Sequence, residues 1–320
     1  INNGYVVAQG KGGWDGGAGI GGGHTGGNGG TITITGGTVE ATGGGNASGI
    51  GGSRYGDGGT ITITGGNITA TSGGQAAAIG GDQGDGGTIT ISGGNVHANS
   101  TQAGIGGGPG GASGTFTTGE SGTAVIYASS ISDNDDTSTW NGIIFQGDEG
   151  KVYGNQSLGE NLNLEAGKTL TVGADASLTV PENVTLSVYG NLTRQGAIAN
   201  AGEILIYPGG SYTGTQTAPN PVRYAQVPYL DEYGSTQSAD SVTVIQDQTS
   251  WTEGWYMVSG EVTIDSRVTV SGDVKLILTD RANLTVNGGI NVGEGNLFTV
   301  YAQSTGDAMG ALTVRNVAAD

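Results

Sequence analysis

The densest group of side chains able to do chemistry is Asp133-Asn134-Asp135-Asp136. Three carboxylates and an amide in four residues offer hard oxygen ligands, so Asp133, Asp135 and Asp136 are the candidate ligands for calcium. The stretch lacks the glycine and distal glutamate of an EF-hand loop, so calcium is an optional addition and no cofactor is required. Asp57, Asp82 and Asp85, with Asn28 at the corresponding place of an earlier turn, are expected to be solvated turn carboxylates. Residues for catalysis are sparse. His24 and His97 stand alone, and Arg54, Arg194, Arg223 and Arg267 are scattered, with no carboxylate pair or Ser-His-Asp pattern around them. The chain is expected to be non-catalytic, with a polysaccharide lyase or hydrolase as the remote alternative. Trp140, Trp251 and Trp255 are the candidate aromatic platform for a sugar ring. Trp14 is expected to cap the open end of the first coil.

The elements that must carry these residues are written as a repeat. Thr31-Ile32-Thr33-Ile34-Thr35-Gly36-Gly37 returns at Thr60 and, with one Thr-to-Ser change, at Thr88, in steps of 29 and 28 residues. Each copy follows a Gly-Ile-Gly or Ala-Ile-Gly and precedes a second run such as Thr38-Val39-Glu40-Ala41-Thr42, and Gly104-Ile105-Gly106 opens a decaying fourth copy. Alternation places isoleucine on one face of each strand and threonine on the other. Such a unit cannot bury its apolar face alone, so neighbouring coils must stack. The fold class is therefore all-β, a parallel β-helix of Gly-cornered coils, with an N-terminal solenoid plus β-sandwich as the alternative.

The chain divides into four regions. Residues 1–120 hold the Gly/Thr-rich repeats. Residues 121–214 form a second solenoid segment, in which Leu162/Leu164, Leu170/Val172, Leu178/Val180 and Leu186/Val188 recur every eight residues. Residues 215–240, with Pro219, Pro221 and Pro228 among tyrosines, read as a linker. Residues 241–320 form a third β block.

Charged residues make up only 12% of the chain, yet 28 acids face 10 Lys and Arg, for a net charge of -18. That balance argues against nucleic acid and anionic membranes as partners. There is no cysteine, so disulfides and thiolate metal sites are excluded. No signal peptide or long apolar run stands out, and the start at Ile1 reads as cut from something longer.

The Gly-Ala-Gly-Ile-Gly-Gly-Gly and Gly-Gly-Thr-Ile-Thr-Ile-Thr-Gly-Gly motifs, with Gly142 to Gly147, Gly150 to Gly154, Trp255 to Gly260 and Ser266 to Leu278, resemble the large repetitive cell-surface proteins of gut Firmicutes. The resemblance covers nearly the whole chain and implies an extracellular or surface location, with adhesion or carbohydrate binding as the role. In those proteins the segment like Trp255 to Val314 runs directly into the Gly-rich repeats, whereas here it ends the chain. That offset implies that Leu312 and Val314 stack against Tyr5, Val6 and Val7 of the next unit or of another copy. The expected function is a stalk or filament subunit whose partner is itself, head to tail, and whose adhesive targets are host or plant glycans. A monomeric carbohydrate-binding module is the alternative.

Overall fold

The computed structural model describes residues 1–132 and 137–315, and these are built almost wholly of short strands. Among them the only helices are single 3-10 turns at Thr137–Thr139 and Gly306–Ala308. The chain is an all-β parallel solenoid divided into two compact units. One comprises Ile1–Leu158, Gly167–Thr179 and Asn191–Ala199; the other comprises Gly159–Ala166, Val180–Gly190 and Asn200–Asp320.

In the first unit each coil has three walls. Ile20–Gly21, Ile50–Gly51, Ile79–Gly80 and Ile105–Gly106 stack as one wall. Thr31–Ile34, Thr60–Ile63, Thr88–Ile91 and Thr115–Thr117 form the second, and Tyr5–Gln9, Thr38–Thr42, Asn67–Thr71, Asn95–Asn99 and Val125–Ala128 the third. All pair in parallel, and the register sets like on like: Ile32 on Ile61 on Ile89, then Phe116. Every isoleucine of the second wall is buried, while its threonines are exposed or half-exposed. Burying an isoleucine contributes ~1.5–3 kcal/mol, and each one is covered by the coils above and below.

The first wall is possible only with glycine. Gly21, Gly51 and Gly80 have φ between +129° and +133°, and a Cβ on any of them would lie 2.0–2.1 Å from a carbonyl oxygen of the next coil. Removing that atom lets adjacent backbones approach to hydrogen-bonding distance through the turn.

The parallel stack of the first unit ends in a reversal. Gly142–Gln146 runs parallel to Val125–Ala128 but antiparallel to Glu149–Tyr153, which in turn pairs in parallel with Thr169–Val172. The buried face changes at the same point. Ile126 and Ile144 share the inner row of the first stack, yet their next partners, Lys151 and Thr171, point outward. Val152 and Val172, in the row of half-exposed Val125, are fully buried. Strand direction, direction of growth along the sheet and the buried face together fix the hand of a coil. The junction inverts the first and third, so the crossover hand is unchanged, as its strong bias demands. Phe145 consequently swings over Gly150, where a Cβ would lie 2.3 Å from its ring, and closes the interior of the new stack.

The second unit contains a junction of the same kind. Val222–Tyr224 pairs in parallel with Glu203–Ile206 and antiparallel with Val242–Val244. Ile204 and Val222 are buried on one face, whereas beyond the junction the buried interior holds Leu276, in the row of Leu205, Arg223, Thr243 and Tyr256. Residues 215–240 supply Val222–Tyr224 and a hairpin, Val227–Leu230 with Thr236–Ala239. The hairpin's Val227 and Ala239 pack on Val242, Met257 and Ile277, so part of this sheet is buried on both faces.

Beyond the hairpin the chain builds three parallel walls, carried by Ser250–Trp251, Val268–Val270 and Ile290–Val292; by Gly254–Val258, Asp273–Leu278 and Leu297–Ala302; and by Glu261–Ile264, Asn283–Val286 and Ala311–Val314. The third block is thus a solenoid and not a sandwich. The eight-residue spacing is one wall of a coil: Leu162 pairs with Leu186, three repeats further on, and Leu170 with Leu192, three strands further on.

Candidate functional site

Asp133, Asp135 and Asp136 lie outside the described residues. Among the described residues no group of three or more His, Asp or Glu could hold a metal ion. The turn carboxylates have a different role from solvated ornaments. Asn28 Oδ1 accepts the Asp57 backbone N–H at 2.9 Å, Asp57 Oδ1 accepts that of Asp85 at 2.8 Å, and Asp85 Oδ1 that of Ala112 at 3.3 Å. Each side chain satisfies a turn donor of the following coil, as an Asx cap does within one turn.

The three candidate tryptophans are not brought together. Trp140 is 6% exposed and packs edge-on against Phe116 and Tyr153 in the core of the first unit. Trp251 is wholly buried, and its Nε1–H donates to the Gln248 carbonyl at 3.0 Å. Both are core residues: Trp251 lies on a strand that points it inward, and Trp140 follows the 3-10 turn Thr137–Thr139. Trp255 is half-buried on the opposite face, against Tyr229 at 4.7 Å and Tyr301 at 5.3 Å between ring centroids. It lines a cleft of about 530 Å³ together with Tyr256, Arg223, Asp240 and Glu253.

Trp14, expected as a cap, is instead 76% exposed. The Arg54 guanidinium lies 4.4 Å from its ring centroid and 4.6 Å from that of Tyr55. Tyr55 is 48% exposed and holds φ +61°, a left-handed conformation unusual for a bulky residue. Its backbone N–H donates to Oδ2 of Asp82 at 3.2 Å. Asp82 is fully buried; burial raises its pKa, against backbone hydrogen bonds from Tyr55 and Gln83 and the charge of Arg54, which lower it. Asp82 Oδ1 and Arg54 Nε are buried without a protein hydrogen-bond partner. The sequence signal available for this group was a tyrosine and an arginine interrupting a Gly-rich turn, with an aspartate one coil later.

Exposure rises in the last described coil. Val270, Leu276 and Val286 are 0–1% exposed, but Val292, Val300 and Val314, which occupy the same rows one coil later, are 42%, 41% and 48% exposed. Leu312, above buried Leu284, is half-buried. At the other end Tyr5–Gln9 pairs, among the described residues, with Thr38–Thr42 alone. Of the residues expected to stack there, only Val6 faces the interior, in the row of Val39; Tyr5 and Val7 face outward, and the Tyr5 hydroxyl donates to Glu40 at 2.9 Å.

Four stretches, residues 1–24, 32–54, 61–85 and 89–109, match the family described as Beta helix repeat. No curated protein and no solved structure matches the chain. The matched stretches fall within the stacked coils of the first unit, and the described residues beyond them continue in short, mostly parallel strands. The chain is an all-β parallel solenoid whose first 109 residues are similar to the β-helix repeat.

Proposed function

We propose that this chain is a non-catalytic structural module of a bacterial surface assembly, a stalk or filament subunit with an adhesive role, extended by stacking coil on coil. The observation that carries the reading is the row of Val292, Val300 and Val314, solvent-exposed where the preceding coil's residues are buried. Covering each half-exposed valine with another coil would contribute ~1 kcal/mol, and the free edges of Leu297–Ala302 and Ala311–Val314 offer backbone donors and acceptors to the same neighbour. The covering coil belongs to an adjoining unit or to another copy. The net charge of -18 keeps such a rod dispersed and steers it from anionic surfaces.

Electron microscopy of the purified chain at high and low concentration tests this. Concentration-dependent end-to-end rods support stacking between copies. Separate particles at every concentration, with a native-like melting temperature, would refute stacking between copies.

A second reading rests on the cleft beside Trp255, where Asp240 and Glu253 give two carboxylates in one concavity. Paired carboxylates are the apparatus of glycoside hydrolysis. Release of reducing ends from plant or mucin glycans, lost in Glu253→Gln, would establish it; a flat assay would remove it.

A further inference from the structure

We infer that Trp14 is a pre-organised platform for a neutral polysaccharide. Its indole is the exposed end of a chain of contacts across three coils. Buried Asp82 accepts the backbone N–H of Tyr55 and so holds the turn in its left-handed conformation. That turn places Arg54 against the Tyr55 ring, and Arg54 in turn lies over the Trp14 ring. Strained conformations persist where surrounding structure over-determines them, and they cluster at working sites. Here the product of that arrangement is a large flat ring, backed on one face by a cation and 76% exposed. An aromatic ring held in place loses little entropy on meeting a ligand.

The surroundings select the class of ligand. A protein hot spot needs a rim that shuts out water around the aromatic anchor. The neighbours of Trp14 are instead turn residues: Gly12, Gly13, Asp15 and Gly16 in sequence, and Arg54 in space, itself packed on Tyr55. A sugar ring suits this mixture, since its C–H face stacks on indole while its rim of hydroxyls meets donors and acceptors. Asp15, beside Trp14 in the chain and bonded to the Thr25 hydroxyl at 2.8 Å, is an acceptor at that rim. The charge of -18, with Asp15, Asp57 and Asp85 on these turns, disfavours uronate or sulfated chains. Arg54, Tyr55 and Asp82 are positioning residues; Trp14 is the contact.

Affinity electrophoresis of the dispersed chain in gels containing soluble β-glucan, mannan, xylan or the polyanion polygalacturonate is the test. Retardation by at least one neutral polymer is expected, with Trp14→Ala weakening it about tenfold or more at an unchanged melting temperature. Arg54→Gln should weaken it less and lower the fluorescence anisotropy of Trp14 in the free protein, which a bystander arginine would not do. No retardation, retention by polygalacturonate alone, or equal binding by Trp14→Ala would each overturn the inference. Work below the concentration at which rods form keeps it separate from stacking: no retardation there sinks only this inference, and no rods at high concentration sinks only stacking between copies.

Discussion

Gly51→Ala tests the stacking geometry most directly. The added Cβ would lie 2.1 Å from the Gly80 carbonyl oxygen, and ordinary contact begins near 3.4 Å, so adjacent coils must part by more than 1 Å. Two hydrogen bonds sit at that point, Gly52 N–H to Gly80 O at 2.8 Å and Ile50 N–H to Ala78 O at 3.0 Å. Losing each costs about 0.5–1.5 kcal/mol. Holding alanine at φ +132° adds about 1–3 kcal/mol. The sum is roughly 2–6 kcal/mol, a large share of the stability of a domain. Gly23→Ala is the control: no atom lies within 4 Å of its Cβ and its φ is not positive, so it should change stability by no more than ~0.5 kcal/mol. Urea unfolding followed by circular dichroism reads both. If the two variants unfold at the same midpoint, the coils are not in the close register described, and the argument for the Gly column fails.

The first junction predicts a non-additive pair. Gly150→Ala should destabilise the native chain because its Cβ meets the Phe145 ring at 2.3 Å, and should be better tolerated in a Phe145→Leu background; additive losses in the double-mutant cycle would contradict the contact. Burial raises the Asp82 pKa, so the folded state holds that proton more tightly than the unfolded state. Its contribution to stability is therefore full below the ordinary carboxylate value and is lost as pH rises through the raised one. Asp82→Asn, which still accepts the Tyr55 N–H, should flatten that part of the pH-stability curve; an unchanged slope would mean that Asp82 titrates as a solvated group. Val300→Asp, at a position 41% exposed, should abolish end-to-end association while moving the melting temperature little; rods that persist would place the stacking surface elsewhere.

Much of the fold was legible because it rests on local alternation repeated in sequence. Ile32/Ile34, Ile61/Ile63 and Ile89/Ile91 announce an inner face, and a spacing near 28 residues announces stacking. The junctions were not legible. Gly147-Asp148 looks like any other Gly-Asp turn, yet it reverses the chain, and which face is buried afterwards depends on a register that no local pattern encodes. The tryptophans failed for a related reason. Trp251 and Trp255 are four residues apart and equally suited to sugar, but Trp251 faces the interior and Trp255 the hairpin side of its own wall. Asp82 looked like its neighbours Asp57 and Asp85, and only the stacking of three turns shows one carboxylate enclosed while the others reach forward.

That forward reach bears on how such a chain could have arisen. In the run from Asn28 through Asp57 and Asp85 to Ala112, the coils of Asp57 and Asp85 each carry both an acceptor for the successor and a donor for the predecessor. A segment of 28 or 29 residues copied in tandem would thus arrive with its contacts already matched on both sides, and selection would have no new interface to invent. Ala112 receives the last bond, and its methyl group has no acceptor with which to pass it on. The run of interchangeable coils stops there.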